Sequence, residues 1–515
     1  MRKFVKSIIV IIIAFMLSLN YVTVLAAPPE LPNGETSNSK GSMPNGQTPP
    51  DKPEGDGGMP GGNGESSNVT HSGATEISSN VANNEQTYTS TEGSQNSLLV
   101  TGGISTLTNP SITKSGNSDG DNSDFYGTNA AVLVKNGTLN INGGTVTTNG
   151  SHTNGVFAYS NGIINISNTN IKTTSNNSGA IMVTGGGTLT ANNVTAETDG
   201  NSSAPIRSDR GGGTLTVNGG TYTAHGTGSP VIYSTADITV NNANLVSTAS
   251  EGVVVEGKNS VTLNNVTMEA TNTKLNSNSE TYKNIFIYQS MSGDAEVGTS
   301  SFTAKDSKII NNKGDIIFVT NTNTIIELEN NEITNNDTSG NFLKVSSSKW
   351  GTSGKNGGTV TLNAKNQKIT GNILVDNIST LDLSLKNGST YLGTINNENT
   401  AKTLNVILDS SSILTLTGDS YITSLNNEVT DNSNINLNGH TLYVNGTAIT
   451  STNYKSTTTT TNNNIDNTVD IVNNTQNNFD SKLLILPIAI AIFIICVILV
   501  IIKVIIKNHK NKQDK

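Results

Sequence analysis

The chain has 515 residues, of which 50 are glycine, 4% are aromatic and 13% are charged, and its net charge is −9. Residues 27 to 482 carry 22 basic against 38 acidic groups, a net of −16. That is the wrong sign for nucleic acid or any other polyanion, which needs clustered Lys and Arg. The single cysteine, Cys496, lies in an apolar run near the C-terminus, so no disulfide can staple the residues before it.

Residues 1–26 have the layout of a secretory signal peptide. Arg2, Lys3 and Lys6 precede an apolar run from Ile8 to Leu19, and Val24-Leu25-Ala26 offers small residues for cleavage. Residues 27–71 hold eight of the twelve prolines and are otherwise rich in Gly, Ser and Asn. This composition cannot bury a core and reads as a disordered tether. Residues 72 to 103 are expected to cap the element that follows, because a bare end would present unpaired strand edge.

From Gly137 to Met268 the chain says nearly the same thing six times. Leu139-Asn-Ile141-Asn-Gly143, Ile164-Asn-Ile166-Ser-Asn168 and Leu189-Thr-Ala191-Asn-Asn193 are followed by Leu215-Thr-Val217-Asn-Gly219, Ile238-Thr-Val240-Asn-Asn242 and Val261-Thr-Leu263-Asn-Asn265. A period of 23 to 26 residues is the mark of a solenoid, whose units bury their apolar faces only against one another. Within each unit, apolar residues alternate with Thr or Asn, the period-2 pattern of a half-buried strand. The unit is too short for a strand plus a crossover helix, so each strand must pair with its counterpart one coil away. Asn and Gly at the end of each unit suit a left-handed corner, and stacked Asn amides would form a ladder along it. The pattern continues at Phe302, Ile326, Val360, Leu383, Val406 and Ile435. The wider gaps from 261 to 302 and from 326 to 360 imply loops inserted into single coils, and a further insertion carries Asp119, Asp121 and Asp124. Residues 72–449 are thus expected to form roughly 13 to 15 coils, a rod on the order of 65 Å long.

This repeat resembles that of right-handed parallel β-helices of the pectin-lyase type, which carry Asn ladders at such bends. The right-handed sense is implied by the resemblance rather than by the spacing. With the flanking segments, the chain looks like a bacterial surface adhesin-like protein. The resemblance weakens at the chemistry, because there is no adjacent Asp-Asp pair, Asn-Thr-Asp, Arg-Ile-Lys or Arg-x-Pro-x-x-Arg. β-Helices carry lyases, hydrolases, adhesins and passive spacers alike.

One face of the solenoid reads in register through Val156-Phe157-Ala158-Tyr159, Ile181-Met-Val-Thr184, Ile206-Arg207-Ser-Asp209, Val231-Ile-Tyr233, Val253-Val-Val-Glu256 and Ile285-Phe286-Ile-Tyr288. With Val156, Ile181, Ile206 and Val253 inward, the outward strip carries Phe157, Tyr159, Arg207, Asp209, Tyr233, Glu256, Phe286 and Tyr288. Aromatic rings interspersed with charged groups would make a platform for glycan, with ring stacking on sugar C–H faces and hydroxyls bonded to carboxylate and guanidinium. The strip includes Arg207, one of only three arginines. The plainer alternative is that Arg207 pairs with Asp209 on the surface and that Tyr simply suits strands. If the strip were catalytic, Asp209 and Glu256 would be a carboxylate pair two coils apart, roughly 9 to 10 Å at their backbones, with Arg207 beside them. The enzyme would then be a polysaccharide lyase or hydrolase.

Asp119, Asp121 and Asp124 offer calcium ligands in a loop, although the EF-hand spacing is absent. No other cofactor is expected, and the histidines have no ligand spacing. Residues 450–482 read as a Thr/Asn-rich stalk. Residues 483–502 are 20 positions without a charge, enough for a single transmembrane helix. The basic tail 503–515 would be cytoplasmic, which places the solenoid outside the cell. The expectation is an all-β, membrane-anchored extracellular protein whose partner is a glycan or a host or matrix surface, with an enzyme or a passive scaffold as alternatives.

Overall fold

The computed structural model describes residues 69–451 except 119 and 276–279. The segments read as signal peptide, transmembrane helix and cytoplasmic tail, together with nearly all of the tether and stalk, lie outside these residues. Among the described residues, no helix is long and apolar enough to cross a membrane.

The strands run from Gly73 to Ala448 and wind into a right-handed-type parallel β-solenoid of about 15 turns. Each coil contributes up to three strands, and each strand pairs in parallel with its counterpart in the coils before and after. On the lateral face, Leu98, Val132, Val156, Ile181, Ile206, Ile232, Val253, Ile285, Ile317, Leu343 and Ile373 lie in one register. All are buried in a single continuous core. On the next face, Leu139, Ile164, Leu189, Leu215, Ile238, Val261, Phe302, Ile326, Leu362, Leu383 and Val406 stack in the same way. The apolar residues of each repeat are thus the core columns.

The corner after this second face turns in the left-handed region, at φ +75° for Gly143, +53° for Asn168, +51° for Asn193, +74° for Gly219 and +55° for Asn242. Before the corner, the Asn218 amide donates to the Asn192 side-chain oxygen at 3.0 Å, Asn241 to Asn218 at 2.9 Å and Asn264 to Asn241 at 2.9 Å. A second ladder runs on the corner itself, from Asn193 to Asn168 and from Asn265 to Asn242. The amides bond along the solenoid axis, so each coil fixes the next.

The N-terminal residues expected to cap the open end are themselves part of the winding. Strands Gly73–Ile77, Ala82–Asn84 and Thr87–Ser90 form the first coil themselves and pair in parallel with the second. At the other end the solenoid closes on an antiparallel pairing of Leu442–Val444 with Thr447–Ala448, which turns the last edge back on itself.

Candidate ligand-binding cleft

The outward residues of the lateral face fall in the register anticipated from the sequence. Phe157, Met182, Arg207, Tyr233, Val254, Phe286 and Phe318 occupy one column. They do not form the open platform expected. Phe157 is 0% exposed and Glu256 1%, because two inserted segments lie across the strip.

The first cover is the insertion between the second and third coils. It holds the short helix Asp121–Tyr126, and Tyr126 packs on a buried cluster of Leu99, Leu133, Phe157, Tyr159 and Met182. The Thr184 hydroxyl donates to the Phe125 carbonyl at 2.7 Å, and His71 Nε2 bonds the Tyr126 carbonyl at 2.9 Å. The second cover comes from the loops after Tyr288 and Val345. The Trp350 ring packs at a tilt against Tyr288, 4.9 Å between centres, and Tyr288 in turn stacks at 4.4 Å on Phe286, over a cluster that includes Val254 and Phe318. The outward strip therefore forms two further, smaller cores outside the solenoid, one under each cover.

Between the two covers a cleft of about 290 Å³ stays open. Its floor and walls are Arg207, Asp209, Tyr233, Ala204 and Pro230 from the coils, with Asp124 and Phe125 from the helix and Asp294 from the second cover. Arg210 ties the covers together. Its guanidinium lies 4.0 Å from the Phe125 ring centre and donates through Nε and Nη2 to Asp294 Oδ1 at 3.0 and 2.7 Å.

Inside the cleft Arg207 Nη2 donates to Asp209 Oδ2 at 2.9 Å, and Arg207 Nη1 to the Ser202 carbonyl at 3.3 Å. The plainer pairing foreseen for these two residues is present, but it is buried rather than superficial. Burial pushes the Asp209 carboxyl up to about 6, against the opposing pull of Arg207 and of the Arg210 N–H. Asp124 gives Oδ2 to His152 Nδ1–H at 2.9 Å, while His152 Nε2 accepts from the Asn177 amide at 3.0 Å. Asp124 Oδ1 is buried with no hydrogen-bond partner among the described residues.

The sequence-predicted residues thus divide into two groups. Arg207, Asp209 and Tyr233 reach the cleft, whereas Phe157 and Tyr159 lie under the first cover, and Phe286 and Tyr288 under the second. Glu256 sits behind the cleft wall and accepts from Tyr233 and, at 2.9 Å, from Tyr288. Burial holds both phenols well above the ordinary range, so both hydroxyls stay protonated and donate. Asp209 and Glu256 therefore do not face each other across open space. Sequence reasoning missed Phe125 and Asp294, and it gave Arg210, which stands beside Arg207 in Ile206-Arg-Ser-Asp-Arg210, no place in the site. The only signal for Phe125 and Asp294 was the insertion lengths, which show that a loop exists but not where it lands.

Of the calcium candidates, Asp119 lies outside the described residues, Asp121 is exposed on the helix and Asp124 is held by His152. A different group, Glu197, Asp199 and His225, brings its ligand atoms within 4.8 Å on an outer face. There the Lys172 ammonium already bridges Glu197 and Asp199 at 2.6 Å each, so the chain supplies its own cation.

No family model, curated relative or solved structure matches this chain. Fold and site together define a parallel β-solenoid with a lateral cleft between two inserted covers.

Proposed function

We propose that this is a membrane-anchored, extracellular surface protein of the pectin-lyase-like, adhesin-like kind, which binds a glycan in the lateral cleft. The observation that carries this reading is the composition of the cleft. Tyr233 and Phe125 present ring surface beside a guanidinium and three carboxylates in a recess of about 290 Å³. Sugar rings are recognised by that combination of apolar C–H contact and planar polar groups. The volume sits near the lower end of the roughly 300–1,000 Å³ that holds drug-sized ligands, which suits a single ring rather than an extended chain. Anchoring rests on the apolar run 483–502 and its basic flank.

A second reading, a polysaccharide-active enzyme, is favoured by one feature. Asp209 is a buried carboxyl near pH 6 inside a cleft, the tuning a general acid needs. Both readings are tested by exposing the full chain to a panel of plant, host and bacterial-wall polysaccharides and scoring retained protein and released oligosaccharide. Binding predicts retention that Tyr233→Ala and Phe125→Ala abolish and that Phe157→Leu, under the first cover, leaves intact. Release that Asp209→Asn removes would favour the enzyme, and neither signal would leave a passive scaffold. Protease treatment of intact cells should cleave the solenoid and spare residues 503–515.

A further inference from the structure

We infer that Lys283 and Glu251 condense into an intramolecular amide, a covalent cross-link between neighbouring coils of the lateral face. The pair lies outside the cleft residues, so this stands apart from the glycan reading. Lys283 Nζ is 3.0 Å from Glu251 Oε1, and the two side chains are only 2% and 7% exposed. Glu251 precedes the strand Val253–Glu256, and Lys283 opens the strand Lys283–Tyr288 that pairs with it in parallel. The Lys283 Nζ also lies 4.4 Å from the Phe286 ring centre, and Phe286 belongs to the aromatic core under the second cover.

These surroundings do more than hold an ion pair. Burial strips both groups of the water that favours their charged forms, so the neutral amine and acid come within reach. Burial alone would raise the Glu251 carboxyl, but Lys283 beside it holds it below its ordinary range, so the proton passes within the pair. The Ser250 hydroxyl donates to Glu251 Oε2, which fixes that oxygen and polarises the carbonyl toward attack. The contact is that of a near-attack arrangement, and the aromatic cover keeps bulk water out. In the step, Nζ gives a proton to Oε1 and the neutral amine attacks the side-chain carbonyl carbon of Glu251. The C–N bond forms, the C–Oε1 bond breaks, and Oε1 leaves as water with two protons from the ammonium. Oε2, held by Ser250, becomes the amide oxygen. No oxidant or co-substrate enters the balance. Asp315, beside Lys283 in the next coil, is instead taken by the backbone and side-chain N–H groups of Asn341, each at 2.8 Å. The amide supplies a staple that cysteine cannot, because the only thiol of the chain is Cys496.

The test is tandem mass spectrometry of a tryptic digest of the purified full chain, unfolded after it has folded. The expected result is a branched peptide that contains both Glu251 and Lys283. It should be lighter by one water than the two linear peptides together, with the chain uncut after Lys283. Lys283→Arg keeps the cation and should return the linear Glu251 peptide at its full mass. Ser250→Ala keeps the ion pair and should lower the cross-linked fraction of freshly made protein severalfold. The wild-type digest decides the matter even if a variant fails to fold. Linear Glu251 and Lys283 peptides alone overturn the inference, as does a cross-link that maps to Asp315. A cross-linked fraction unmoved by Ser250→Ala overturns the part given to Ser250.

Discussion

The lateral face and the face that follows it are made by the same alternation in the same coils, yet they present different chemistry. On the second face the outward column is Thr190, Thr216, Thr239, Thr262 and Thr303 in one register, small hydroxyls partly open to water. On the lateral face the equivalent column is Phe157, Met182, Arg207, Tyr233, Val254 and Phe286, closed over by insertions. Inward residues are interchangeable between the faces and build the rod. Outward residues record what lies on top: water on one face, inserted chain on the other, with a cleft where the two covers fail to meet. A solenoid separates these roles because each coil contacts only its neighbours, so an insertion in one coil can be elaborated without disturbing the column beneath.

The core columns shared by the two faces should be the most sensitive to substitution. Leu215 is fully buried, and Leu215→Ala should cost about 2–5 kcal/mol in denaturant unfolding through lost burial and the cavity left behind. A loss below about 1 kcal/mol would mean the columns are not the structural unit. Next comes the covered strip. Arg207 and Asp209 are only 12% and 6% exposed at their side chains, so Arg207→Ala leaves a buried carboxylate uncompensated and should cost about 3–5 kcal/mol. Arg207→Ala combined with Asp209→Asn should recover most of it.

The same pair gives a pH signature. Asp209 titrates near 6 in the folded chain against 3.8 as its ordinary value, so the folded state holds the proton more tightly. Its contribution to stability is full below about pH 4 and is lost as pH rises to about 6, a change of about 3 kcal/mol at most. Asp209→Asn should flatten stability across that window, and an unchanged slope would show that Asp209 is not the titrating group. A smaller effect is expected at Arg210, whose pair with Asp294 is half-exposed. Arg210→Ala should cost only about 1 kcal/mol but should speed proteolysis within residues 289–298. The smallest belongs to the open face, where Thr216→Ala should stay within about 0.5 kcal/mol.

The solenoid was legible in the sequence because its cause is local. Each Leu-x-Ile or Leu-x-Val step announces a buried column, and each Asn-Gly or Asn-Asn pair announces a corner. The register of the strip was legible for the same reason, except that the unit read from Val231 is headed by Ile232, which pairs with Ile206 and sets Tyr233 beside Arg207. What could not be read was the burial of that strip. Whether Phe157 meets water depends on Tyr126 returning across the face, and whether Tyr288 does depends on Trp350, more than 60 positions along the chain. Alternation reports the side of a sheet a residue faces, not what covers that side. The cleft is harder still, since Arg210 bridges Asp294 and Phe125, a contact with no periodic signature.

The most direct measurement is hydroxyl-radical footprinting of the full chain with and without a saturating glycan identified in the binding panel. Protection confined to Tyr233 and Phe125, with the aromatic side chains Tyr421 and Tyr443 unchanged, is the result expected if the gap between the covers is the ligand site. Protection elsewhere on the solenoid, with Tyr233 and Phe125 oxidised at their free rates, would contradict it.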